Sequence, residues 1–230
     1  MDFQVWDLPG HLDYMDPAFD TDNIFEEIGA LIWVIDAQDE YLDAIQRLNM
    51  TILSLQNSYP NINIEVFVHK VDGLSDDFRG DTFRDIIQRV QDELSDNGYE
   101  QAPISFYQTS IYDHSIFEAF SKVIQKLIPQ LPTLEALLNN LCSACNIEKA
   151  YLFDIMSKIY IATDTSPTDI ATYEVCSDYI DVVIDVSEIY GWDRPDEAQG
   201  DGETGNNDAE SLITMEKKGS RYLYLREINK

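Results

Sequence analysis

Apolar positions in residues 1–129 follow two alternating patterns. Short unbroken runs rich in β-branched residues predict strands buried on both faces, at 31–36, 62–68 and 104–109. A shorter run, residues 3–7, predicts a further strand that ends in a Pro-Gly turn. Between these runs the apolar residues recur at helical spacing. Residues 17–28 predict a helix with Asp16 as N-cap, and 41–58 predict one with Leu42, Ile45, Leu48, Ile52 and Leu55 on its stripe. Residues 81–97 follow with Phe83, Ile86, Ile87, Val90 and Leu94, and Gly98 stands where a C-terminal glycine belongs. The last helix of this half starts at a capping box, Ser115-x-x-Glu118, carries Ile116, Phe120, Val123, Ile124 and Leu127, and ends at Pro129. Strands alternating with helices predict an α/β fold with a parallel sheet wrapped on both faces.

The pattern changes across residues 129–132, which read as a domain boundary. Beyond it, 134–141 predict a short helix capped by Thr133, and 150–155 with 158–163 predict a tight hairpin. Residues 167–190 predict a long helix, with a strand over the β-branched stretch 181–186 as the alternative. Residues 193–210 are acidic, rich in Gly and Asn and poor in apolar residues, and are expected to be a disordered loop. A second hairpin follows at 212–216 and 221–225 around Lys217-Lys218-Gly219-Ser220, so the second half is a small α+β unit with at least four antiparallel strands.

Composition narrows the classes. A length of 230 residues allows two domains, and 44% apolar residues suffice for their cores. A formal net charge of −28 argues against nucleic acid or an anionic membrane surface as partner, and favours partners with basic patches. No apolar run approaches the ~20 residues of a membrane span, so direct insertion is not expected. No signal peptide, myristoylation site or prenylation box is expected from the residues given, and any membrane location is expected to come through a partner. Cys142, Cys145 and Cys176 fit a reducing cytosol; Cys142-x-x-Cys145 has no second pair to complete a zinc site, and reads as thiols on a helix.

Candidate chemistry lies at the strand ends. His69-Lys70-Val71-Asp72-Gly73 follows the third apolar run, and open α/β sheets bind ligands at the carboxyl ends of their strands. A carboxylate there can accept two parallel hydrogen bonds from guanine, from the ring N–H and the exocyclic amine. The Lys70 stem can lie across the base and aim its ammonium at phosphate. The plainer reading is a strand followed by a solvated turn. Two further motifs shift the balance. Asp7-x-x-Gly10 can hold Mg²⁺ through water and admit a terminal phosphate close to backbone. Thr109-Ser110-Ile111 can donate backbone N–H groups to the guanine carbonyl, which rejects adenine's amine. All three strand ends are expected to face one crevice.

In this order the motifs resemble the Rag GTPases, C/D type, including the fungal counterpart subunit. The resemblance rests on Trp6-Asp-Leu-Pro-Gly10, the stretch from Ala30 to Tyr41, His69-Lys-Val-Asp-Gly73, Thr109 to Phe120 and Ile128-Pro-Gln-Leu-Pro-Thr-Leu134. It implies a partial Ras-like P-loop GTPase sheet over 1–129, lacking the first strand and P-loop, followed by an α+β roadblock/longin-like dimerisation domain over 133–230. It implies GTP/GDP and Mg²⁺ as cofactors, an A/B-type Rag as heterodimer partner, and a scaffold complex on the lysosome or vacuole. It also implies relay of amino-acid sufficiency to the TOR kinase complex. By motif matching, Lys70 and Asp72 read the base with His69 beside them, Ser110 and Ile111 cover its carbonyl, and Asp7 and Gly10 address Mg²⁺ and phosphate.

The chain also departs from that pattern. It contains no Gly-x-x-x-x-Gly-Lys-Ser/Thr, the loop that cradles phosphates. His11 stands where the family usually has the water-orienting Gln. These departures, and the ends of the sequence, lead to the expectation of a fragment, a splice form or an incomplete gene model, with residues 1–29 poorly held. The alternative function is a nucleotide-free dimerisation module. A hydrolase built on Asp36 with Asp72 or Asp7 is a third reading, weakened because no convergent carboxylate pair is legible.

Overall fold

The computed structural model describes residues 4–10, 25–99, 103–154, 157–190, 210–216 and 220–226. The described residues belong to two compact units, Met1–Pro132 and Thr133–Lys230.

In the first unit, β1 (Ala30–Asp36), β2 (Asn63–His69) and β3 (Ile104–Thr109) form a parallel sheet in the order β1-β2-β3. The helices are α1 (Leu42–Ser58), α2 (Asp76–Asp96) and α3 (Ser115–Lys126). β2 is central, and Ile64, Val66, Phe67 and Val68 are fully or almost fully buried. Its period-two alternation sorts the two cores. Ile64, Val66 and Val68 pack with Ile45, Leu48 and Ile52 of α1 and Ile86, Val90 and Leu94 of α2. Phe67 packs with Ala119 and Val123 of α3, and its ring meets Phe120 and Tyr107 edge-on. Glu65, 0% exposed, lies on the same face of β2, where Lys126 Nζ reaches both its oxygens at 2.8 and 2.9 Å.

Several boundaries differ from the sequence expectation. Residues 4–9 form no strand, and Val5 and Trp6 are exposed, because no described strand offers them a ladder. Residues 17–24 of the expected first helix, with Asp16, lie outside the described residues, as do 193–209 of the acidic loop. β1 is not buried on both faces: Val34 is exposed at the edge of the described sheet. α2 starts at Asp76 rather than 81; Ser75 precedes it in extended backbone, and Asp76 and Asp77 suit the positive end of the helix dipole. The capping box at 115–118 does not form. Asp113 Oδ1 accepts from the Ser115 N–H and hydroxyl, and Glu118 pairs with Lys122 at 2.7 Å.

The second unit opens in the first turn of α4 (Leu131–Cys145), which is longer than expected because Pro132 sits where no intrahelical N–H is needed. The expected hairpin forms from β4 (Tyr151–Phe153) and β5 (Tyr160–Thr163). The rings of Tyr151, Phe153, Tyr160 and Tyr173 form a cluster with centroid separations of 5.4–6.5 Å. α5 (Ile170–Tyr190) is helical through 181–186, so the strand alternative fails there. β6 (Glu210–Glu216) and β7 (Ser220–Arg226) pair antiparallel, as expected, in a ladder separate from β4-β5. Among the described residues no helix is long and apolar enough to cross a membrane.

Candidate functional site

β2 leaves the sheet at His69, and Lys70 turns the chain with φ 61 and ψ 33. A left-handed residue with a Cβ costs about 1–2 kcal/mol, so neighbours must hold it. A single 3₁₀ turn, Val71–Gly73, follows, with Val71 buried and Asp72 exposed above it. β3 leaves the sheet beside it at Thr109. Parallel pairing aligns His69 with Thr109, and His69 Nδ1 lies 2.9 Å from Thr109 Oγ1.

The two loops meet at Ser110, which is fully buried. Its hydroxyl donates to Asp72 Oδ1 at 2.5 Å and accepts from the Tyr112 N–H at 3.0 Å. The Ser110 N–H donates to Ser115 Oγ at 2.9 Å. It is therefore engaged internally, and does not point to a guanine carbonyl as the sequence reading had it. The Ile111 N–H has no acceptor among the described residues, and the Ile111 side chain is exposed.

Lys70 is also placed differently from expectation. Its ammonium pairs with Asp36 Oδ2 at 2.5 Å, at the end of the neighbouring β1. The Lys70 hydrogen bond holds the Asp36 carboxyl below its usual range, and the same contact raises Lys70. The structure thus brings His69, Lys70, Asp72, Ser110 and Ile111 together on one edge. It adds Asp36 and Gln38, which sequence reading did not assign to this site; their signal is an Asp-x-Gln directly after an apolar strand.

Asp7 and Gly10 are not at a strand end. Asp7 is exposed, and the Gly10 carbonyl accepts from Arg47 Nη1 of α1 at 3.3 Å. His11 lies outside the described residues. Among the described residues no three His, Cys, Asp or Glu side chains are grouped to hold a metal ion, and Asp7 alone does not make a Mg²⁺ site. Asp36 and Asp72 bind Lys70 and Ser110 respectively.

A parallel sheet whose neighbouring strand ends carry a Lys-x-Asp turn and a serine loop in direct contact is the architecture of the G-protein class of α/β folds. The family model described as the Gtr1/RagA G protein conserved region matches residues 1–180, and the chain belongs to that family, in its Rag C/D branch. It is 65% identical over 191 residues to GTP-binding protein gtr2 of Schizosaccharomyces pombe, covering 83% of this chain and 61% of that protein. It is 56% identical over 230 residues to Ras-related GTP-binding protein C of Homo sapiens, covering 100% of this chain and 56% of that one. It is 53% identical over 190 residues to GTP-binding protein GTR2 of Saccharomyces cerevisiae, covering 83% and 56%. The chain therefore spans little more than half the length of these relatives.

Proposed function

We propose that the chain carries the guanine-reading part of a Rag C/D-type GTPase subunit. The observation that carries this is the Asp72–Ser110 contact. The Ser110 hydroxyl fixes one carboxylate oxygen and so orients the plane of Asp72 at the sheet edge. An exposed, oriented carboxylate can accept from the ring N–H and the 2-amino group of guanine together, a charge-assisted bidentate contact. The Ile111 N–H is the donor left for the guanine carbonyl. The Lys70 stem flanks the base plane, and its ammonium returns to Asp36. The phosphate-cradling motif is not among these 230 residues, so the base contacts alone are assigned here. Guanine nucleotides fit this donor and acceptor set; Mg²⁺ and GTP hydrolysis rest on the family alone.

In the full reading, the subunit pairs with an A/B-type Rag through a roadblock-like second unit. A scaffold complex holds the pair peripherally on the lysosome or vacuole, and its GTP/GDP state relays amino-acid sufficiency to the TOR complex. The exposed apolar residues Val182, Val186 and Ile189 support the pairing, because they recur along one side of α5. Leu137 and Leu141 of α4 are exposed as well. These faces also favour the second reading, a nucleotide-free dimerisation module.

The test is an amide NMR titration of the whole chain with GDP and ADP. GDP is expected to shift the Asp72 and Ile111 signals selectively. An equal response to ADP, or shifts elsewhere alone, would reject the base site and leave the dimerisation module.

A further inference from the structure

Backbone contacts between β1 and β2 continue past the strands. The Ala37 N–H donates to the His69 carbonyl at 2.8 Å, the last backbone rung. Gln38 Nε2 then donates to the Lys70 carbonyl at 2.8 Å, so a side chain supplies the next rung just where Lys70 turns left-handed. Gln38 is itself anchored: its N–H donates to Asp36 Oδ1 at 2.9 Å. The other Asp36 oxygen holds the Lys70 ammonium, so one short segment grips Lys70 at both carbonyl and side chain.

The same amide also lies on Gly73. A Cβ there would stand 2.1 Å from Gln38 Nε2, 2.3 Å from Cδ and 2.6 Å from Oε1. The amide fits only because Gly73 has no side chain. Gln38 therefore touches the turn at residues 70 and 73, on either side of Asp72.

We propose that Gln38 is a positioning residue for base recognition, holding the Lys70–Gly73 turn so that Asp72 is offered to the 2-amino group of a guanine ring. The inference rests on the guanine-reading assignment above. Gln38 is exposed and lies outside both cores, so its loss leaves the sheet packing intact.

The experiment titrates the full chain with GDP, IDP and ADP. IDP lacks the 2-amino group that Asp72 accepts from. In Gln38→Ala, GDP affinity is expected to fall on the order of tenfold, the left-handed cost carried into binding. IDP affinity falls less, so the GDP-to-IDP ratio shrinks while the melting temperature holds. Gly73→Ala displaces the same amide and should reproduce that shrinkage. Added to Gln38→Ala, it should cost little more, because the space is then free. A wild-type chain that does not distinguish GDP from ADP overturns the base-site reading and this inference with it. A wild type that does distinguish them, with both variants keeping the GDP-to-IDP ratio, overturns the role of Gln38 alone; so does an equal loss of GDP and IDP.

Discussion

Asp72 is an acceptor, and changing it to a donor reverses its preference. Asp72→Asn presents an NH₂ where guanine also presents one. Xanthine has a carbonyl at that position. The variant is expected to lose GDP binding by about tenfold to a hundredfold and to gain xanthosine diphosphate binding, read by the same titration. Asp164 shows a carboxylate in a purely structural role. It is 5% exposed and accepts from the Ala150 and Ser166 N–H groups, each at 2.9 Å, with Lys149 Nζ at 3.2 Å. Burial works against its charge, and these donors more than offset it, holding the carboxyl at about 2. A folded value below the unfolded one means the stabilisation is complete above pH ~4 and is lost as pH falls through about 2. Asp164→Asn should remove about 2 kcal/mol at neutral pH and flatten the acid limb of an unfolding curve followed by amide exchange in β4 and β5.

α3 is docked by a charged contact as well as by its apolar stripe. Lys126, at the end of α3, reaches Glu65 on β2 and the Ser105 hydroxyl on β3, and lies 5.7 Å from the centre of the Tyr107 ring. Burial opposes the Lys126 charge, and the hydrogen bonds and charges of Glu65 and Tyr107 together outweigh it, raising the ammonium above its usual range. Lys126→Ala leaves the Glu65 carboxylate buried alone and should destabilise the first unit by about 3 kcal/mol in urea unfolding. The double change Glu65→Leu with Lys126→Met should recover most of that loss, because it removes both charges and keeps the volume. A Glu in the middle of an apolar run gives no hint of its partner, since Lys126 lies 61 residues away.

At the scale of the whole chain, the net charge of −28 and the exposed apolar residues of α5 are, on the proposed reading, features of association. If α5 carries the subunit contact, the pair Val182→Asp and Val186→Asp should abolish co-purification with an A/B-type subunit, while the GDP response at Asp72 and Ile111 stays as in wild type. Retention of the partner would move the contact to another surface.

Much of this was written in local pattern. Continuous apolar runs placed β1, β2 and β3, and their alternation with helical stripes implied a sheet covered on both faces. The helical stripes of α1, α2 and α3 were legible for the same reason: burial selects side chains at the repeat of the element that carries them. His69, Lys70, Asp72, Ser110 and Ile111 could be listed from the sequence, because strand ends in a parallel sheet converge. Their partners could not. That Lys70 turns left-handed, that Ser110 holds Asp72 rather than offering its N–H, and that Ser115 serves the loop instead of capping its helix depend on contacts between segments. Residues 4–7 of the expected first strand failed as one for a related reason, since a strand exists only where another supplies its hydrogen bonds. The sequence by itself determined the three strands of the sheet, the helices that cover it and five of the side chains that line its edge. Tertiary structure decided which of those side chains already hold one another, and which remain to meet a ligand.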